Sequence, residues 1–101
     1  MTTKKDDNKE AVYSTRDIYL SATLLTLRFN LTGIDYQYEG EKQKPVGYFQ
    51  FEESPKLMVA REDYWNKKLA VEPQEFVTSL RGLRAQINDY YKNPAYSRQN
   101  R

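Results

Sequence analysis

The chain has 101 residues, enough for one small domain, and its formal net charge at pH 7 is only +2. It contains neither cysteine nor histidine, which excludes disulfides, thiolate metal sites and histidine-based catalytic triads. The amino-terminal residues are charged, and no apolar run is long enough to cross a membrane. These features predict a cytoplasmic protein that has no metal site and makes no membrane contact.

The first predicted element is a helix that follows a polar leader. Residues 1–13 are expected to form this leader and to be disordered. The segment Ser14-Thr15-Arg16-Asp17 has the form of a capping box, which predicts a helix start. The helix should run from Ile18 to Phe29, with apolar side chains on two adjoining stripes. Because so wide an apolar face must be covered, we expect this helix to be the most buried element.

A β-hairpin is predicted next. Gly33 marks a change from helical periodicity to alternation, and residues 34–38 alternate between apolar and polar side chains. After a polar turn, Pro45 opens a second run that ends at Phe51. Two such runs joined by a short polar loop are typical of an antiparallel hairpin.

The hairpin carries three tyrosines whose sheet face the pattern leaves open: Tyr36, Tyr38 and Tyr48. On an open face they would form an aromatic platform of the kind that single-strand binders use. On the face that packs against helices they would belong to the core. Nine tyrosines in all make either arrangement consistent with the composition.

Two further helices are expected in the second half of the chain. Ser54-Pro55 is a strong helix start, and that helix should end near Asn66. Leu69-Ala70-Val71 is either a third edge strand or a linker. Pro73 opens the last helix, which Asn93-Pro94 ends.

The last helix has the clearest amphipathic pattern of the chain. Its apolar residues recur at intervals of four, three, four and three: Phe76, Leu80, Leu83, Ile87 and Tyr90. The predicted class is therefore α+β, with the order α-β-β-α-(β)-α. A small antiparallel sheet of two or three strands should carry helices on one face. Residues 14–92 would form this single domain, followed by a basic polar tail, residues 93–101.

No residue set in the sequence predicts catalysis. The four glycines lie too far apart for a phosphate-binding loop. The paired acids, such as Glu52-Glu53 and Glu62-Asp63, are adjacent in sequence, so their side chains diverge. We therefore expect a protein that is not an enzyme, that needs no cofactor and that has no small-molecule substrate.

The remaining signal is a combination of cations and aromatic rings in the carboxy-terminal half. Basic side chains neutralise phosphates, and exposed aromatic faces stack on unpaired bases. The candidate nucleic-acid-binding residues are Trp65, Lys67, Lys68, Arg81, Arg84, Lys92, Tyr96, Arg98 and Arg101.

Each of these residues also has a structural interpretation. Arg81 and Arg84 would flank a core stripe and pair with Glu75 or Asp89. Lysines at the end of a helix suit its macrodipole, and Trp65 would simply cap the core.

From Ser14 to about Tyr90 the chain resembles an uncharacterised family of short domains found in phages, mobile elements and assorted prokaryotes. The segments that carry the resemblance are Thr15–Leu20, Gly33-Ile34, Phe49–Ser54, Asp63–Asn66 and Leu69–Pro73. The resemblance implies a phage or mobile-element setting, in which small accessory proteins often bind nucleic acid or another protein. It implies no active site.

Two functions remain open from the sequence. The first is an accessory protein of a protein or nucleoprotein assembly, contacting nucleic acid through its basic, aromatic carboxy-terminal half. Single-stranded DNA or RNA is favoured over duplex because the aromatic rings need unpaired bases. The alternative is a pure protein-interaction module, a subunit or inhibitor of a larger complex, with no nucleic-acid contact.

Overall fold

The computed structural model describes residues 11–41 and 44–92, and it confirms the α+β class. The observed order is β-α-β-β-α-α, so it differs from the predicted order in having a strand before the first helix and none between the last two. The elements are β1 (Val12–Thr15), α1 (Ile18–Thr26), β2 (Leu31–Glu39), β3 (Lys44–Glu52), α2 (Pro55–Trp65) and α3 (Pro73–Lys92). None of the helices in this described part is long and apolar enough to cross a membrane.

Strand β1 corrects the prediction of a disordered leader up to residue 13. It pairs antiparallel with β3, with Tyr13 opposite Phe51 and Thr15 opposite Phe49. Four residues are too few to show a clear alternation, and their partners lie far along the chain, so no local pattern reveals the pairing. The rest of the predicted leader, residues 1–10, lies outside the described residues.

The start of α1 is capped by Asp17. Its carboxylate accepts hydrogen bonds from the backbone N–H groups of Tyr19 at 2.9 Å and Leu20 at 3.1 Å. The capping box at Ser14 was therefore wrong, because Ser14 lies within β1. The helix also ends earlier than predicted, since Arg28 takes a left-handed conformation with φ of 76°.

Helix α1 is buried on nearly every side, as the sequence predicted. Leu20, Ala22 and Leu24 have no exposed surface. Ser21, Thr23 and Thr26 are buried too, and each hydroxyl donates to the backbone carbonyl four residues earlier in the chain. These bonds satisfy the polar groups of a helix that has little access to water.

The three strands form one antiparallel sheet in the order β1-β3-β2. The predicted hairpin is confirmed as β2 and β3, with Ile34 opposite Phe49 and Tyr36 opposite Gly47. The pairing is irregular between Leu31 and Gly33. One face of the sheet packs toward the helices, and it carries the buried side chains of Phe49 and Phe51. The register places five further residues on this face: Tyr13, Thr15, Ile34, Tyr36 and Tyr38.

The hairpin tyrosines therefore divide between the two faces. The ring of Tyr36 stacks on that of Tyr90 from α3, with ring centroids 3.6 Å apart, and the hydroxyls of Tyr38 and Tyr90 lie 2.5 Å apart. A Cβ at Gly47 would lie 3.2 Å from the Tyr36 ring, so this close approach favours glycine. Tyr48 lies on the open face, so the three rings form no common platform.

Helix α2 begins and ends as predicted. The Ser54 hydroxyl accepts the N–H of Leu57 at 3.1 Å, Pro55 occupies the first turn, and Asn66 is the C-cap. Residues 69–71 form a linker and not a third strand. Lys67 follows the cap with φ of 61°.

Helix α3 also starts where predicted, and Lys92 is its last described residue. Its apolar stripe faces the core, where Leu83 is fully buried. The hydroxyl oxygens of Thr26 in α1 and Ser79 in α3 lie 3.0 Å apart, within hydrogen-bond distance, which ties the two helices together. The predicted tail, residues 93–101, lies outside the described residues.

Replacing Lys67 by glycine should stabilise the protein. The left-handed conformation costs a residue with a Cβ about 1–2 kcal/mol, whereas the greater freedom of glycine in the unfolded chain cancels about 0.5–1 kcal/mol of the gain. We expect Lys67→Gly to raise the free energy of unfolding by about 0.5–1 kcal/mol in urea denaturation followed by circular dichroism. Lys68→Gly, which removes the same charge without relieving a left-handed residue, should not stabilise. Equal losses in both variants would contradict the conformation at Lys67.

Candidate nucleic-acid interface

The exposed surface of α3 has two sides of different character. We call the first side the arginine stripe. It contains no acid, and its residues follow helical spacing: Val77, Arg81, Arg84, Asn88 and Tyr91. We call the second side the acidic side, and it contains Glu75, Gln86 and Asp89. This separation leaves the cations of the helix on one surface.

Arg84 lies against an exposed aromatic ring of α1. Its Nη2 donates to the hydroxyl of Tyr19 at 3.2 Å, and its guanidinium carbon lies 6.0 Å from the centre of that ring. The side chain of Tyr19 is half exposed, at 50%. A guanidinium and a ring side by side at the surface offer a phosphate contact and a stacking partner together. Tyr19 was not among the predicted site residues, although it falls on neither apolar stripe of α1, which indicates exposure.

Arg81 is the freest cation of the stripe. It forms no ion pair or hydrogen bond with any residue of the described ranges, 11–41 and 44–92. It borders a shallow depression of about 410 Å³, together with Pro73 and Val77. The predicted pairing of these arginines with Glu75 is not observed, because Glu75 is instead 3.8 Å from Arg28.

Trp65 is exposed at the end of α2 and does not cap the core. Its side chain is 59% exposed and stands edge-on to the ring of Tyr64, with centroids 5.0 Å apart. Burial, and then the charge of Asp17, raises the pKa of Tyr64. Helix α2 also packs against α1.

The other five predicted lysine and arginine positions have separate outcomes. Lys67 and Lys68 are exposed just after α2, next to Trp65, where they also complement the negative end of the helix dipole. Lys92 is exposed at the end of α3. Arg98 and Arg101 lie outside the described residues, as does Tyr96.

The open face of the sheet is less suited to phosphates. The Tyr48 hydroxyl donates to a carboxylate oxygen of Glu39 at 2.7 Å, and this bond raises the pKa of Tyr48. Arg16 lies 3.7 Å from the other oxygen of Glu39 and 5.9 Å from the Tyr48 ring centre. The arginine of this group thus has a carboxylate beside it, whereas no described carboxylate forms an ion pair with Arg81 or Arg84.

No group of three or more acids that would suit a metal ion is present in the described part of the chain. The comparisons with known proteins add no relative, since no family model, curated protein or solved structure matches the chain. The resemblance to phage and mobile-element domains therefore stays a prediction.

Removing the side chains of the interface should leave the fold intact. Arg84→Ala and Tyr19→Phe should each change the free energy of unfolding by at most about 0.5 kcal/mol, because the pair is exposed to water. Leu83→Ala, the matched substitution at the neighbouring buried position, should cost about 2–5 kcal/mol. Urea denaturation measures all three. A loss in Arg84→Ala as large as that in Leu83→Ala would show that the arginine serves the core.

Proposed function

We propose that this protein is a non-enzymatic accessory protein of the cytoplasm that binds single-stranded nucleic acid within a nucleoprotein assembly. The interface comprises the arginine stripe of α3, Tyr19 of α1, and the exposed residues Trp65, Lys67 and Lys68 at the end of α2. The observation that carries the proposal is the contact of Arg84 with the exposed ring of Tyr19.

The chemistry favours single strands over duplex. Exposed rings at Tyr19 and Trp65 can stack on bases only when those bases are unpaired. Base–aromatic stacking contributes about 1–3 kcal/mol per base and tolerates any sequence. Arg81 and Arg84 supply phosphate contacts with no competing carboxylate beside them, which keeps both guanidinium groups available.

A protein partner at the same surface is the second candidate. Val77 is 40% exposed and borders the depression beside Arg81. An exposed apolar side chain next to an arginine is a common composition of protein interfaces. In this alternative the arginine stripe would bind a protein and no nucleic acid, so the protein would not bind an oligonucleotide even at low salt.

The arginine stripe can be tested by fluorescence anisotropy with labelled oligo(dT) and oligo(rU) at low salt. We expect Arg81→Ala and Arg84→Ala each to weaken binding about 10-fold to 150-fold, because loss of a hydrogen bond to a charged group costs about 1.5–3 kcal/mol. The slope of log K against log salt should become shallower by about 0.7 for each contact removed.

Lys56→Ala is the matched control for this assay, because Lys56 is an exposed cation at the opposite end of α2 from Trp65. It should leave the affinity nearly unchanged. Absence of binding by the unaltered protein at low salt would refute the proposal. So would a loss in Lys56→Ala equal to that in Arg84→Ala, since any exposed cation would then serve.

A further inference from the structure

Strand β2 is an edge of the sheet within the described residues, because the strand order is β1-β3-β2. It is nine residues long and contains no proline, lysine or arginine. Edge strands usually carry such residues, which discourage pairing with another chain. The other edge strand, β1, has only four residues. Among the described residues β2 is therefore the longer edge of the sheet, and its pairing with β3 is regular from Gly33 onward.

A groove runs between this edge and helix α3. The stacked rings of Tyr36 and Tyr90 form part of its floor and fix α3 beside the strand. Ile34 and Tyr36 line it from the sheet, whereas Gln86 and Asp89 line it from the acidic side of α3. The depression has a volume of about 330 Å³, enough to take a side chain from an added strand.

The charges around the groove are acidic. Asp89 stands on the helix wall, and among the described residues no lysine or arginine lines the depression. Asp35 is exposed on the opposite face of β2, where its carboxylate accepts a hydrogen bond from the Gln37 side chain at 2.9 Å. Successive side chains of a strand point to opposite faces. An added strand would therefore meet an acid on each of its two faces.

We propose that β2 and α3 bind an extended basic segment of a partner protein, which adds to the sheet as a fourth strand. Backbone hydrogen bonds to β2 would supply affinity that is independent of sequence. Basic side chains of the segment would be selected by Asp89 on the groove side and by Asp35 on the open side. This acidic groove repels nucleic acid, so it and the arginine stripe serve different ligands on opposite sides of α3.

The test uses a fluorescein-labelled octapeptide in which pairs of lysines alternate with pairs of valines, so that lysine stands on both faces of the added strand in either orientation. We expect saturable binding, with NMR shift changes at the backbone amides of β2.

Asp89→Lys should weaken binding by about tenfold, since it replaces an attraction by a repulsion. Glu62→Lys, which changes the net charge equally on exposed α2, should leave binding unchanged. A peptide methylated on alternate amide nitrogens should fail to bind.

Three results would overturn the proposal: no binding of the lysine peptide, equal binding of a peptide with glutamate in place of lysine, or equal binding of the methylated peptide. The proposal would also be overturned if the protein self-associates through β2. Sedimentation would detect that self-association, and Asp35→Lys would abolish it. The anisotropy assay with oligo(dT) separates this proposal from the nucleic-acid proposal. Asp89→Lys should retain oligonucleotide binding, so either proposal can fail without the other.

Discussion

The arrangement of the molecule depends on the burial of one short helix. Helix α1 has only nine residues, and six of them are buried. A helix of this length is not stable alone in water, so tertiary packing must hold it. The sheet covers it with Phe49 and Phe51, and α3 covers it with Leu83. A polar group buried there needs a hydrogen-bond partner inside the protein, and the serine and threonine hydroxyls find one in the backbone carbonyls of the preceding turn.

The same burial determines where the candidate interface forms. Helix α3 contacts α1 at both ends, through Ser79 near the end of α1 and Arg84 near its start. With most of α1 covered, Tyr19 is its one strongly exposed ring among the described residues, and Arg84 lies against it. The contact of Tyr90 with Tyr36 then places the other side of α3 along β2. One helix thereby presents cations to one surface and an acid to another.

Local patterns predicted the elements whose signals lie within a few residues. The cap at Ser54, the apolar stripe of α3 and the alternation of β2 each depend on short-range spacing, and each is present in the structure. Strand β1 could not be found in this way, because its stability comes from pairing with β3, more than thirty residues away. The start of α1 was misplaced because serine at position 14 fits a cap pattern as well as it fits a short strand.

The candidate site was predicted in composition but not in arrangement. The sequence indicated Trp65, Arg81 and Arg84 as candidate binding residues, with a core-capping role for Trp65 as the alternative, and all three are exposed in the structure. It gave no means of pairing Arg84 with Tyr19, since the two lie 65 residues apart and meet only when α3 packs on α1. Nor could alternation alone decide which sheet face held Tyr36, because that choice depends on the register between β2 and β3.

The central claim is that nucleic acid binds to the arginine stripe of α3, Tyr19 of α1 and the exposed end of α2, and NMR titration with oligo(dT) tests it most directly. Trp65 is the only tryptophan of the chain, so its indole N–H gives one unambiguous signal. The account predicts the largest shift changes at this indole, at the ring of Tyr19 and at the Arg84 side chain. Changes confined to the open sheet face, around Tyr48 and Arg16, would contradict it.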